Sequence, residues 1–407
     1  MSTYISEKIQ EIRNDFPLLR RENPIIYLDN ACATLKPESV ILAMDQYNRE
    51  FPTCGGRSMN RLGERVTKAV ENVRKTVADF INAKSEAEII FVRNTTEGIN
   101  MIARTLDLNP GDVVLTSDKE HNSNLVPWQL LSQHIGVEHR VCRTNVDGTF
   151  DFDAYKKALS VGNVKLVAIG HVSNLDGVSI PVKSVIDEAH HFGALVMLDA
   201  AQSVPHDKID VQDLNVDMLV FSGHKMCGPS GTGVVYVKKN IFSRMKPFIV
   251  GGSTVAKTTY DSFEILSAPA AYEGGTQDYA GIIGLGEAVR YVEKVGIENI
   301  SEYVNELNHY ATSQILELTD IKILGPDASK RSGILSFFIE GVDIHQVAIA
   351  LDSGKNVMVR SGQHCVHSWF NDRKILGSVR LSFYFYNNMS DVDDCIAGLK
   401  QIIAVYK

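Results

Sequence analysis

The chain has 407 residues, 44% of them hydrophobic and 22% charged, and a formal charge of −8. That length allows two or three domains with a large core, and the composition is that of a soluble globular protein. No Lys/Arg cluster makes the basic face of a nucleic-acid binder, and no apolar run approaches the roughly 20 residues that cross a bilayer. Residues 1–8 lack the basic start and apolar stretch of a signal peptide. A cytoplasmic protein is therefore expected. In that compartment the six scattered cysteines, Cys32, Cys54, Cys142, Cys227, Cys365 and Cys395, stay reduced.

Val66, Val70, Val73, Val77 and Phe80 recur at helical spacing and predict one amphipathic helix. Short apolar runs follow at 89–92, 113–115, 166–169, 194–198, 218–221 and 234–237. Several are continuous and rich in Val and Ile, as strands covered on both faces are. Strands alternating with helices predict an α/β fold with a mainly parallel sheet and ligands at the carboxyl ends of its strands. A helix near 283–295 leads into a small α+β unit with strands at 333–339 and 379–385 and a helical tail at 391–406. The expected division is an N-terminal segment, 1–20, packed with the small domain, a large domain, 21–285, and a small domain, 286–407.

Polar residues follow four of the apolar runs. Lys225 sits among Gly223, Gly228, Gly231 and Gly233, where glycine lets the backbone approach a bulky ligand. A lysine so placed can form an imine with an aldehyde, although a surface or phosphate-contacting lysine is the common alternative. Asp199 ends a buried strand, where a carboxylate needs a partner; a pyridine ring nitrogen suits it, and a helix cap is the plain alternative. Thr95 and Thr96 open a helix whose free N–H groups make an anion site, and Asn174 leaves another strand end. Thr and Asn are also ordinary helix caps. Taken together, the four elements point to pyridoxal phosphate (PLP).

The motifs Arg93-Asn-Thr-Thr-Glu-Gly-Ile-Asn100, Glu120-His-Asn-Ser-Asn-Leu-Val-Pro-Trp-Gln129, Asp199-Ala-Ala-Gln202, Ser222-Gly-His-Lys-Met-Cys-Gly-Pro229, Gly274-Gly-Thr276 and Arg360-Ser-Gly-Gln-His-Cys365 carry a family resemblance. Over nearly its whole length the chain resembles class V, fold-type I PLP enzymes, and within them the group II (Suf-type) cysteine desulfurases. The resemblance implies a fold-type I large domain with a seven-stranded sheet. It implies that His121 stacks on the cofactor ring and that Asn174 and Gln202 touch its phenolic oxygen. Thr96, Ser222 and His224 would hold the phosphate. Thr276 would reach a phosphate across a dimer interface, so a homodimer is expected. Arg380 would grip the substrate carboxylate, where a guanidinium binds in bidentate fashion, with an ordinary ion pair as the alternative. Arg360 and Asn174 complete the expected substrate-binding set.

Cys365 lies beside Arg360, His364 and His367 in sequence, neighbours that favour a reactive thiolate. The resemblance makes it the sulfur acceptor. Lys225 would remove the Cα proton of bound L-cysteine, and Cys365 would take the sulfur as a persulfide, leaving L-alanine. The sulfur would pass to an acceptor protein, a Suf-type scaffold or carrier, for iron–sulfur cluster assembly. A small buried thiol is one competing reading. A zinc site is the other, but no fourth ligand or usual spacing supports a metal. Further alternatives are a selenocysteine lyase, another class V lyase or epimerase, and a non-catalytic scaffold. The chain departs from the group's pattern at Asn122 and Gln363, which replace histidines, in the segment 52–58, and at Cys32, where Ala is usual. Cys32, Cys54 and Cys227 are expected to be structural thiols.

Overall fold

Seven strands form the large sheet: β1 (Ile89–Val92), β2 (Val113–Ser117), β3 (Glu138–Cys142), β4 (Val164–Gly170), β5 (Leu195–Asp199), β6 (Met218–Ser222) and β7 (Gly233–Val237). They appear in a computed structural model that describes residues 3–23, 25–56 and 58–406. Met1, Ser2, Pro24, Arg57 and Lys407, which fall within stretches discussed above, lie outside the described residues. The order across the sheet is β1-β7-β6-β5-β4-β2-β3. β7 runs against both its neighbours, and the other pairs are parallel. The expected α/β architecture with a mainly parallel seven-stranded sheet is what the chain adopts.

β1, β2, β6 and β7 are buried along their whole length, which is why they read as unbroken apolar runs. β3 was not among the expected strands. It is the sheet edge, and only its Cys142 is buried, so its Glu-His-Arg-Val-Cys sequence carries no apolar signal. Register sets the site: Gly170 at the end of β4 lies opposite Asp199, which lies opposite Val220 on β6. The helix Thr95–Thr105 packs tightly across this sheet. A Cβ on its Gly98 would stand 2.7 Å from Val235, so glycine is what permits the approach.

The second sheet is antiparallel, with β8 (Ile321–Leu324), β9 (Ile334–Ile339), β10 (Arg360–Gly362) and β11 (Ser378–Ser382) in the order β8-β9-β11-β10. β11 ends at Ser382, short of the expected 385, and Phe383–Tyr386 continue as buried non-strand chain. Ile5, Ile12 and Phe16 of the N-terminal segment share one core with Ile300, Leu335 and Phe385. The helix Tyr279–Val295 spans the expected boundary at 285. Leu285 and Val289 face the large-sheet core, whereas Ala288, Val292 and Val295 face the other core. Residues 26–27, assigned to the large domain by sequence, pair in parallel with Val357–Met358 beside the second sheet. No helix among the described residues is long and apolar enough to cross a membrane.

Candidate active site

The carboxyl ends of β1, β2, β4, β5 and β6 surround a cavity of about 250 Å³. Lys225, His121, Cys365, Thr95, Thr96, Asn174, Asp199, Gln202, Ser222, His224, Arg360 and Arg380 all line it. Thr276 does not; it lines a separate cleft with Phe91, Gly233 and Asp278.

Asp199 and Lys225 place opposite charges in the cavity, one at the end of β5 and one just after β6. Asp199 ends β5 and accepts the Ala201 N–H at 3.0 Å. Burial pushes its carboxyl pKa up, and the Lys225 charge opposes that. Lys225 closes the short helical turn Gly223–Lys225 after β6, and burial lowers its ammonium pKa against the pull of Asp199. The two share no direct ion pair among the described residues. Two charges lining a cavity with no direct ion pair between them are costly. A group presenting a protonated ring nitrogen to Asp199 and an aldehyde carbon to Lys225 satisfies both, so the site fits PLP.

The anion end is built on the helix Thr95–Thr105, capped by Asn94, whose side chain accepts the Glu97 N–H at 2.9 Å. The Thr95 N–H donates to Ser222 Oγ at 2.9 Å, and the Thr95 and Ser222 hydroxyls lie 2.7 Å apart. Burial lowers the His224 pKa to about 4, so this ring is neutral at pH 7.

His121 is neutral as well, its pKa lowered to about 3 by burial and then by the Lys225, Arg380 and Arg360 charges. Its Nδ1 accepts the Ser123 N–H at 3.1 Å, which leaves the ring proton on Nε2. Ser123 Oγ lies 3.0 Å from the same Nδ1 and 2.6 Å from Thr96 Oγ1, linking the ring to the anion end. Ser123 and Glu120 were not singled out in the sequence, although they flank His121. Glu120 is buried, accepts from Ser117 Oγ (2.5 Å), Asn124 Nδ2 (2.7 Å) and the Gly170 N–H (3.2 Å), and burial raises its pKa to about 7.

Both expected substrate arginines have protein partners. Arg380 is fully buried and donates to Asp29 Oδ1 at 3.0 Å and the Asn174 carbonyl at 2.9 Å, while its Nε has no partner among the described residues. Arg360 donates from Nη1 to Cys32 Sγ at 2.9 Å and from Nη2 to Cys365 Sγ at 3.9 Å. Asn174 Nδ2 donates to the His364 carbonyl at 2.7 Å, and Gln202 Nε2 to the Ala31 carbonyl at 2.8 Å.

The loop after β10 presents Cys365 in a left-handed conformation. His364 and Cys365 have φ of 48° and 61°, a region that costs a non-glycine residue about 1 kcal/mol or more. Hydrogen bonds hold it there: Asn122 N–H to the Cys365 carbonyl (2.7 Å), Asn174 to His364, and His364 Nε2 with Ser378 Oγ (2.8 Å). Asn122 Nδ2 also meets His367 Nδ1 at 2.7 Å, so this departure from the family pattern helps dock the loop. Gln363 Nε2 reaches the Leu376 carbonyl at 3.3 Å. His367 is exposed and does not line the cavity.

Of the other cysteines, Cys142, Cys227 and Cys395 are buried core residues, and burial pushes the Cys142 and Cys395 thiols up to about 12. Cys54 is exposed. Cys32 is partly exposed and lines the cavity beside Arg360.

A lysine and a carboxylate at neighbouring strand ends, an anion site at a helix start and a thiol on a strained loop belong together in one enzyme class. The family model for aminotransferase class-V matches residues 26–395, and the chain belongs to that family. The relatives are more specific. A curated cysteine desulfurase from Enterobacter sp. (strain 638) is 39% identical over 410 residues, covering 98% of this chain and 99% of that protein. The apo cysteine desulfurase structure from Thermococcus onnurineus NA1 superposes with a TM-score of 0.93 at 34% identity, covering 97% of this chain and 98% of that one. The cysteine desulfurase CsdA from Escherichia coli, in an S-sulfonic acid form, gives 0.91 at 31% identity, with 98% and 99% covered. The resemblance read from the motifs therefore holds.

Proposed function

We infer that this chain is a PLP-dependent cysteine desulfurase, which converts L-cysteine to L-alanine and takes the sulfur as a persulfide on Cys365. The observation that carries this reading is the strained loop that puts Cys365 into the same cavity as Lys225 and Asp199. PLP, when bound, supplies a sink for the electron pair left at the substrate Cα. Asp199 would keep its ring nitrogen protonated, His121 would lie against the ring, and Asn174 and Gln202 would serve its phenolic oxygen. Thr95, Thr96, Ser222 and His224 would hold the phosphate.

Lys225, whose ammonium pKa is lowered by burial, acts as the base that takes the Cα proton. Arg380, with Arg360 and Asn174, holds the substrate carboxylate. Arg360 faces the Cys365 thiolate, which attacks the substrate sulfur: an S–S bond forms, the C–S bond breaks, and its electrons stay with the carbon that becomes alanine.

The finer reading is a cytoplasmic homodimer that hands persulfide sulfur to a Suf-type scaffold or carrier for iron–sulfur cluster assembly. In it Thr276 serves the partner subunit's phosphate site, which accords with its place outside this chain's cavity and in a cleft with the exposed Ile249. The division into segments 1–20, 21–285 and 286–407 belongs to the same reading, with the helix Tyr279–Val295 as the joint.

The test is release of alanine and sulfide from L-cysteine by the yellow protein with a thiol reductant. Equal amounts from wild type, lost in Cys365→Ala while the colour stays, are expected. A yellow wild type inert on cysteine, or a fully active Cys365→Ala, overturns the reading and makes selenocysteine and other amino acids the substrates to try.

A further inference from the structure

Cys32 reaches the cavity through strand pairing. Residues 26–27 run beside Val357–Met358, and Asp29 bridges to Ser382 at the end of β11. The Ala31 N–H then donates to Ser382 Oγ at 2.9 Å, and Asn30 Nδ2 to the Ser382 carbonyl at 2.6 Å, so the backbone before Cys32 is fixed to β11. β10, which pairs with β11 and sets Arg360 opposite Arg380, leads directly into the loop bearing Cys365. The two thiols therefore arrive from adjoining segments of one rigid frame.

They meet at Arg360. Its Nη1 contacts Cys32 Sγ at 2.9 Å and its Nη2 faces Cys365 Sγ at 3.9 Å, so one planar cation can neutralise a thiolate on either sulfur. Both thiols also act electrostatically on Lys225, which places Cys32 within the field of the reacting centre. A persulfide on Cys365 carries its outer sulfur about 2 Å beyond Sγ, into the cavity that Cys32 also lines.

We propose that Cys32 is a second sulfur-carrying thiol of this site, receiving the outer sulfur from the Cys365 persulfide. The proposal rests on the desulfurase reading above. The Cys32 thiolate attacks the outer sulfur, and a new S–S bond forms on Cys32. The S–S bond on Cys365 breaks, and its electron pair leaves as the Cys365 thiolate, facing the same guanidinium. One thiolate and one persulfide become one persulfide and one thiolate, so no oxidant or reductant is consumed. Cys365 is then free to accept sulfur from a second cysteine before the first has left the protein.

The experiment mixes the PLP-loaded full-length protein with excess L-cysteine and no reductant, measures the alanine burst, then alkylates, digests and maps sulfane sulfur by mass spectrometry. Wild type should carry sulfane sulfur on both the Cys32 and the Cys365 peptides, with a burst of about two alanines per chain, one for each acceptor thiol. Cys32→Ala should halve the burst and keep sulfur on Cys365 alone, and Cys365→Ser should load neither peptide. Sulfane sulfur confined to Cys365 in wild type, whether one atom or a polysulfide chain, overturns the relay while leaving the desulfurase intact. A wild type that makes no alanine overturns both. Because the decisive map is made on wild type, it stands even if the Cys32 variant fails to fold.

Discussion

His206 offers a quantitative test of how the buried histidines make the protein sensitive to acid. It is 7% exposed, its Nδ1 has no partner among the described residues, and its ring stands edge-on to Tyr384 at 5.0 Å, where the chain after β5 meets the chain after β11. Burial alone lowers its pKa from 6.5 to about 4. The unfolded chain therefore takes up a proton that the folded one refuses, and stability is lost as pH falls from about 6.5 toward about 4. At pH 5 the unfolded ring is almost fully charged and the folded ring almost fully neutral. That difference, accumulated over about 1.5 pH units at about 1.36 kcal/mol each, comes to about 2 kcal/mol. Replacing His206 with Phe removes the titrating group while keeping a ring against Tyr384. Urea unfolding at pH 7 and pH 5 should show the acid loss in His206→Phe smaller than in wild type by about 2 kcal/mol, whatever the variant's stability at pH 7. Parallel pH dependences would refute the reasoning, because they would mean that the folded His206 accepts its proton at an ordinary pH.

Ser123→Ala keeps the backbone donor to His121 but removes the hydroxyl that links it to Thr96. With about 1 kcal/mol for a neutral hydrogen bond, kcat/KM on L-cysteine should fall about five-fold to ten-fold with the yellow colour kept. An unchanged value, or a loss of colour, would show that the hydroxyl does something else. Lys119 and Asp176 form an ion pair with side chains 5% and 0% exposed, and Lys119 Nζ also donates to the Gly148 carbonyl at 2.6 Å. Lys119→Met removes the ammonium partner of the buried Asp176 carboxylate, so denaturant unfolding should show a loss of about 3–5 kcal/mol. Much of that loss should return in Lys119→Met/Asp176→Asn, and a single-variant loss below about 1 kcal/mol would mean that the pair is effectively solvated.

The parts of this protein that were legible in the sequence are those where function and burial mark the same residue. Asp199, Asn174 and Lys225 each follow an apolar run that a covered parallel strand requires, and polar groups at such ends face a common crevice. β3 was hidden because an edge strand needs no apolar pattern. The partners of the arginines were hidden for a different reason. Arg380 meets Asp29 across 351 residues of sequence, and Arg360 meets Cys32 across 328. Both contacts depend on a two-residue ladder, Ile26–Tyr27 with Val357–Met358, which is too short to leave a periodic signature. Cys32 alone reads as a small buried hydrophobe, the ordinary fate of a cysteine. It becomes a candidate for chemistry only when that ladder sets it on the guanidinium that also faces Cys365. The same ladder carries Asp29 to Arg380, so it organises two arginines of the site at once. A substitution that shifted its register would therefore disturb the Arg380–Asp29 pair and the Arg360 contacts with Cys32 and Cys365 together.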